Sequence, residues 1–126
     1  MARAEITQLN RRLEINSYLW TFLGLRTLVS NCNMPAFAYS MCDICSDALF
    51  YDHDAFENPD SSIGECVYDP EDARRLRRVS VLMDVIFADA WKDTTQDNLS
   101  PLINHAKWQE LECAIGAVLE YPWIRA

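Results

Sequence analysis

The amino-acid sequence predicts an all-α fold. Its 126 residues, 50% of them hydrophobic, are enough for one domain with a core of its own. Only 3 glycines are present, too few for the frequent turns of an all-β chain. Apolar residues recur at helical spacing in four stretches. We therefore expect a single-domain, four-helix, bundle-like fold over residues 1–126.

The first two helices are predicted over residues 4–30 and 36–51. One apolar stripe in the first helix should face the core: Ile6, Leu9, Leu13 and Trp20. The charged residues between them should face solvent: Arg11, Arg12 and Glu14. The second helix follows Pro35 and should bury one apolar series: Phe37, Met41, Ile44, Cys45, Ala48 and Leu49.

The third helix is predicted over residues 70–93 and has the strongest start signal in the chain. Asp69 is a favourable N-cap, Pro70 suits the first helical position, and acidic residues in the first turn complement the helix dipole. From Val79 to Trp91 apolar residues surround the helix axis. We therefore expect this helix to be covered on most of its circumference, at the centre of the domain.

The last helix is predicted over residues 101–121, between the Ser100–Pro101 start and Pro122. Between the second and third helices lies a long acidic loop, residues 52–68. At about seventeen residues it exceeds most connections in a domain, so it is either functional or mobile. Three apolar residues should anchor it: Phe56, Ile63 and Val67.

Charge is distributed unevenly along the chain, whose net charge is −8. Ten acidic residues and no lysine or arginine lie between Asn31 and Ala73. An acidic surface of this kind suits a basic protein partner, because carboxylates can take the places of phosphates and bind arginine. The candidate partner-binding residues are Asp43, Asp47, Asp52, Asp54, Glu57, Asp60 and Glu65. The alternative is a solvated acidic stretch, with Arg74 and Arg78 holding the loop against the third helix.

Several classes of function fit the sequence poorly. The negative charge argues against direct binding to nucleic acid or to an anionic membrane. No apolar run approaches the roughly 18 residues of a membrane span, and no signal peptide is visible, so a cytoplasmic protein with reduced thiols is expected. Neither a glycine-rich phosphate loop nor a nucleophile–base pair is evident. We expect no catalysis and no cofactor.

The cysteines leave one metal-binding alternative open. Cys42 and Cys45 form a C-x-x-C pair, and together with His53 and Cys66 they would supply four zinc ligands. Both residues of the pair also fall inside an apolar helical pattern, where free cysteine behaves as a small hydrophobic residue.

These observations favour a small acidic, non-catalytic protein that binds and blocks or regulates a basic, nucleic-acid-handling protein. In size and acidity the chain resembles the anti-CRISPR and DNA-mimic proteins that phages encode; the resemblance covers bulk properties and no motif. Two alternatives remain: the small zinc protein, and a self-associating helical scaffold or regulator such as a homodimer. Self-association is suggested by apolar residues in excess on the first and third helices: Trp20, Phe22, Leu25, Val81, Val85 and Trp91.

Overall fold

The computed structural model describes residues 5–124 of the chain. This part contains six α-helices and no β-strand. They are α1 (Leu9–Ser30), α2 (Pro35–Asp47), α3 (Asp54–Glu57), α4 (Pro70–Ala90), α5 (Ser100–Ile103) and α6 (Trp108–Ile124). The all-α prediction is confirmed. The number of helices differs from the predicted four, because the acidic segment contains a short helix and the last predicted helix is divided into two.

The long helices pack around one core. α1 packs against both α2 and α6, and α4 packs against α6. α4 contributes one continuous buried face to this core: Ala73, Leu76, Val79, Leu82, Met83, Ile86 and Ala90. α4 also begins where predicted, since the Asp69 carboxylate accepts a hydrogen bond from the backbone N–H of Asp72 (2.9 Å).

The buried face of α1 differs from the predicted stripe. Leu9, Leu13 and Trp20 are 49%, 54% and 62% exposed, and the core-facing residues are Arg12, Ile15, Leu19, Phe22 and Leu25. α1 also begins at Leu9, after four non-helical residues, while residue 4, the predicted start, lies outside the described residues. The prediction was wrong because Arg12 was placed in solvent, whereas its charge is compensated inside the protein.

A buried ion pair accounts for this rotation of α1. The Arg12 guanidinium donates hydrogen bonds to both carboxylate oxygens of Asp72, with Nη2–Oδ1 at 2.8 Å. The pair is almost completely buried. Arg12 also donates to the carbonyl of Cys66 (3.1 Å) and to Asn16 (3.0 Å), and Asp72 accepts from the backbone N–H of Tyr68 (2.9 Å). Nearly every polar atom of the pair is thus satisfied, as buried charges require.

The other long helices are also more exposed than predicted. Phe37 and Ile44 of α2 lie at the surface, and Ala38 and Cys42 occupy the core beside Cys45. Val81 and Val85 leave one side of α4 open, so this helix is not covered on most of its circumference. A π-helical turn at Ala48–Asp52 follows α2, and a 3₁₀ turn at Trp91–Asp93 follows α4. Together they bring the two helical stretches close to their predicted ends.

The acidic segment 52–68 is folded onto the protein. It contains α3 and a 3₁₀ turn at Pro59–Ser62, and both pack on α4. Phe56 and Val67 are fully buried, as expected of anchors, while Ile63 stays at the surface. Two arginines on other elements hold the segment: Arg77 of α4 pairs with Asp60, and Arg12 of α1 donates a hydrogen bond to the carbonyl of Cys66. The predicted arginines point elsewhere: Arg74 binds Glu71 and Arg78 binds Glu110.

The last predicted helix is interrupted at residues 104–107. His105 Nδ1 accepts a hydrogen bond from the backbone N–H of Lys107 (3.0 Å), which competes with continued helix formation. Its Nε2 bonds Asp89 on α4 (3.0 Å) and fixes the break in place. α6 then continues through Pro122 to Ile124, so the predicted stop at this proline was wrong.

Candidate partner-binding groove

An open groove of about 550 Å³ lies between α2 with its π-helical turn and α4. Four carboxylates line it, from Asp43, Asp47, Glu57 and Asp84. Four aromatic rings line it as well, from Phe50, Tyr51, Phe87 and Trp91. We call this site the acidic groove. It combines negative charge with flat apolar surface, which are the two features that bind a cationic side chain.

Helical spacing places each wall of the groove. Asp43 and Asp47 are one turn apart on α2, and the following π-helical turn carries Phe50 and Tyr51. On the other wall, Asp84, Phe87 and Trp91 recur at intervals of three and four residues, so they share one face at the end of α4. The π-helical turn is wider than an α-helical turn, a feature that is frequent at functional sites.

Ring contacts hold the aromatic wall in position. The Trp91 ring stacks on Tyr39 with centroids 5.0 Å apart and meets Phe87 edge-on at 5.6 Å. Phe50 is fixed in the same way by the buried Phe56, with centroids 5.1 Å apart. Tyr51 differs from the others because it is 81% exposed and projects into solvent. The groove therefore has a largely fixed wall and one free ring at its edge.

The charges of the acidic groove are not compensated within the described part of the chain. Among residues 5–124, no lysine or arginine lies within 4 Å of the carboxylates of Asp43, Asp47, Glu57 or Asp84. Partial burial raises the pKa of Asp84, since desolvation disfavours the charged carboxylate. A guanidinium or ammonium group placed here would compensate the negative charges and would favour the ionised form of Asp84.

We expect the substitution Asp84→Asn to stabilise the free protein at neutral pH. The folded-state pKa of Asp84 lies above its ordinary value of 3.8, so ionisation is less favourable in the folded protein, and stability is lost as pH rises through this range. Removing the charge should raise the midpoint of thermal unfolding by about 1–3 °C at pH 7.

Differential scanning calorimetry at two pH values checks this expectation. The gain should disappear at a pH well below 3.8, where both proteins are uncharged at this position. Asp97→Asn, at an exposed position outside the groove, is the matched control. An equal gain in the control would show that net charge alone is responsible.

The structure separates the acidic residues that the sequence groups together. Asp43, Asp47 and Glu57 line the groove. Asp52 and Asp54 lie between Asp47 and Glu57 in the sequence and are exposed, but they do not line the groove. Asp60 is paired with Arg77. Glu65 is exposed elsewhere, where its carbonyl accepts a hydrogen bond from Gln8 just before α1. Three further acids serve the fold: Asp69 caps α4, Glu71 binds Arg74 and Arg75, and Asp72 binds Arg12.

Sequence reasoning missed the α4 wall of the groove. From the sequence, Asp84 is interpreted as an ordinary surface carboxylate, Phe87 as a core residue, and Trp91 as either a core residue or part of a self-association surface. The signal was present in their spacing, since an acid and two aromatic rings on one helical face differ from a purely apolar face. The pairing of this wall with α2 could not be seen, because it depends on how the two helices are rotated in the fold.

The four candidate zinc ligands are not grouped together in the part of the chain that the structure describes. Within residues 5–124, no three histidine, cysteine, aspartate or glutamate side chains are grouped so that they could hold a metal ion. Cys42, Cys45 and Cys66 are buried, and burial raises the pKa of each thiol. His53 is buried as well, and its Nε2 bonds Glu14 of α1 (2.9 Å).

None of the helices within residues 5–124 has the length and apolar character needed to cross a bilayer. No family model, no curated protein and no solved structure matches the chain.

Proposed function

We propose that this chain is a non-catalytic interaction protein that binds a basic protein surface through the acidic groove. The observation that carries the proposal is the meeting of four uncompensated carboxylates with fixed aromatic rings in one open groove. An arginine side chain fits this chemistry best. Its planar guanidinium can stack on a ring while its N–H groups donate to carboxylates on either side.

Long-range attraction and short-range docking have separate sources in this proposal. The net charge of −8 draws a basic partner towards the protein and raises the association rate. Once the partner is in contact, the aromatic wall contributes buried apolar area, and the carboxylates select arginine or lysine. Exposed Asp52 and Asp54 add to the attraction without lining the groove.

A nucleic-acid-handling protein is the partner class that we favour. Such proteins carry spaced arginines and lysines to hold phosphates, and carboxylates at the surface of this protein can occupy the same side chains. Binding would cover the partner's phosphate-contacting surface and so block or regulate it, as a DNA mimic does. The expected compartment is the cytoplasm, on the sequence grounds given above.

Affinity capture from the host lysate provides the first test. The tagged protein is used as bait, bound proteins are eluted in steps of rising salt, and the eluates are identified by mass spectrometry. We expect a nucleic-acid-binding protein in the early steps, because charge-driven contacts weaken with salt. Recovery of no basic protein under low salt would contradict the proposal.

We predict that the double substitution Asp43→Lys and Asp47→Lys slows association with the captured partner, and with an oligo-arginine peptide, at least tenfold at low salt. Two adjacent charges of the groove are reversed, so steering and docking are both lost. Surface plasmon resonance over a series of salt concentrations measures the effect, and the two proteins should converge at high salt.

Glu5→Lys with Asp97→Lys is the matched control for this experiment. It makes the same change in net charge at exposed positions that do not line the groove. We expect it to slow association much less than the groove variant. Equal losses in the two variants would assign the binding to overall charge, and an unchanged rate in the groove variant would rule out the groove as the contact.

A further inference from the structure

A second groove, of about 480 Å³, lies between α1 and the end of α6. Trp20 of α1 and Trp123 of α6 both line it, and they are 62% and 79% exposed. Leu13 lines it as well, and Leu9 lies one turn away on the same face of α1. We call this the tryptophan groove. Single exposed apolar residues are common, but a continuous patch with two tryptophans indicates an interaction surface.

We propose that the tryptophan groove is the interface of a symmetric homodimer. A twofold interface brings the same patch of both copies together, so the patch must contain both a projecting group and a cavity that receives it. The tryptophan groove contains both, since an exposed indole stands beside an open groove on the same surface. In the dimer, Trp20 of one copy fills the groove of the other, and the contact is repeated across the axis.

The charge layout favours a second copy over the basic partner. Among the residues 5–124 that line the tryptophan groove, Arg12 is the charged one, and its charge is compensated by buried Asp72. The described lining therefore offers no carboxylate for a basic protein to bind. Two copies, each with a net charge of −8, repel one another least where the facing surfaces are neutral.

The available area is consistent with a stable contact. The exposed parts of Trp20 and Trp123 amount to roughly 300 Å², given the area of an aromatic side chain. That is over a third of the ~800 Å² that each partner buries in a standard interface. Leu9, Leu13 and Ile124, about half exposed, supply more apolar area around the tryptophans.

The dimer leaves the acidic groove free. α1 and α6 form the tryptophan groove, whereas α2, α3 and α4 supply the acidic groove, and no residue lines both. A dimer would thus present two acidic grooves to a partner, so that the second contact forms at a high effective concentration.

Sedimentation velocity over a range of protein concentrations tests the proposal. We expect the mass to rise from monomer to dimer, and the dimer to become tighter as salt is added, because salt screens the repulsion between like charges. This salt dependence is opposite to that of the basic partner. The two proposals can therefore fail independently of each other.

Paired substitutions identify the surface. Trp20→Ala with Trp123→Ala should weaken the dimer at least tenfold, while Tyr51→Ala, which removes an even more exposed ring at the edge of the acidic groove, should leave it unchanged. Far-ultraviolet circular dichroism confirms that each variant is folded. A wild-type protein that stays monomeric at about 100 μM, or a tryptophan double variant that dimerises normally, would overturn the proposal.

Discussion

Replacing Asp72 by asparagine is expected to lower the free energy of unfolding by about 3–5 kcal/mol. The substitution leaves the Arg12 guanidinium buried, with 1% of its side chain exposed, and without a counter-charge. The backbone N–H of Tyr68, which donates to the Asp72 carboxylate (2.9 Å), is also left with a weaker, uncharged acceptor. Leaving a buried charge uncompensated is among the most destabilising single changes in a protein. Urea denaturation at pH 7 measures the effect.

Glu71→Gln is the control, because it removes a carboxylate at the next position that pairs with Arg74 and Arg75 nearer the surface. Its effect should be much smaller, since solvent screens that pair. Substituting both members of the buried pair with apolar residues, as Arg12→Met with Asp72→Leu, should recover part of the loss. If Asp72→Asn and Glu71→Gln cost the same, the buried pair does not hold α1 to α4 as described.

Replacing Trp91 by alanine is expected to cost about 2–4 kcal/mol of the free energy of unfolding and to weaken binding at the acidic groove. The indole stacks on Tyr39 of α2 and contacts Phe87 of α4, so its loss separates the two walls of the groove. The expected cost is below that of a fully buried tryptophan, because one side of Trp91 is open to the groove. Urea denaturation and the binding assay described above are measured on the same preparation.

The control for Trp91 is another tryptophan. Trp123→Ala removes the same side chain from a site that is 79% exposed in the single chain, so at protein concentrations where the chain is monomeric the free energy of unfolding should change by about 0.5 kcal/mol or less. Trp91→Phe should keep part of the stack on Tyr39 and lose less than Trp91→Ala. Equal costs for the two alanine variants would mean that the ring stack does not join α2 to α4.

The fold class and several helix starts were predictable because their signals are local. Helical periodicity predicted helices in the regions of α1, α2, α4 and α6, although it joined α5 and α6 into one, and prolines mark the first turns of α2, α4 and α5. The break before α6 was not predictable in this way. It depends on a hydrogen bond from His105 to Asp89, a residue on another helix.

The buried faces were harder to predict than the helices. α1 carries apolar residues on two sides, and periodicity does not decide which side enters the core. Arg12 decides it here, through a partner 60 residues away in the sequence. The predicted stripe containing Leu13 and Trp20 was therefore assigned to the wrong side, and it forms part of the tryptophan groove instead.

The acidic groove was predictable on one wall only. A run of acids without lysine or arginine pointed to Asp43, Asp47 and Glu57, and all three line the groove. The same run included Asp60, which the fold uses for an ion pair with Arg77. Whether a carboxylate is available or paired depends on long-range contacts. Charge order along the chain does not contain that information.

The distribution of cysteines also allows local opening of this protein to be measured by thiol alkylation. Cys32 and Cys113 are exposed, whereas Cys42, Cys45 and Cys66 are closed off from solvent. Because the thiolate is the reactive form, a buried thiol with a raised pKa reacts with an alkylating reagent only when its region opens. Reaction at α2 and reaction at the segment before α4 thus report separate local openings. The native sequence already carries these probes, without any engineered label.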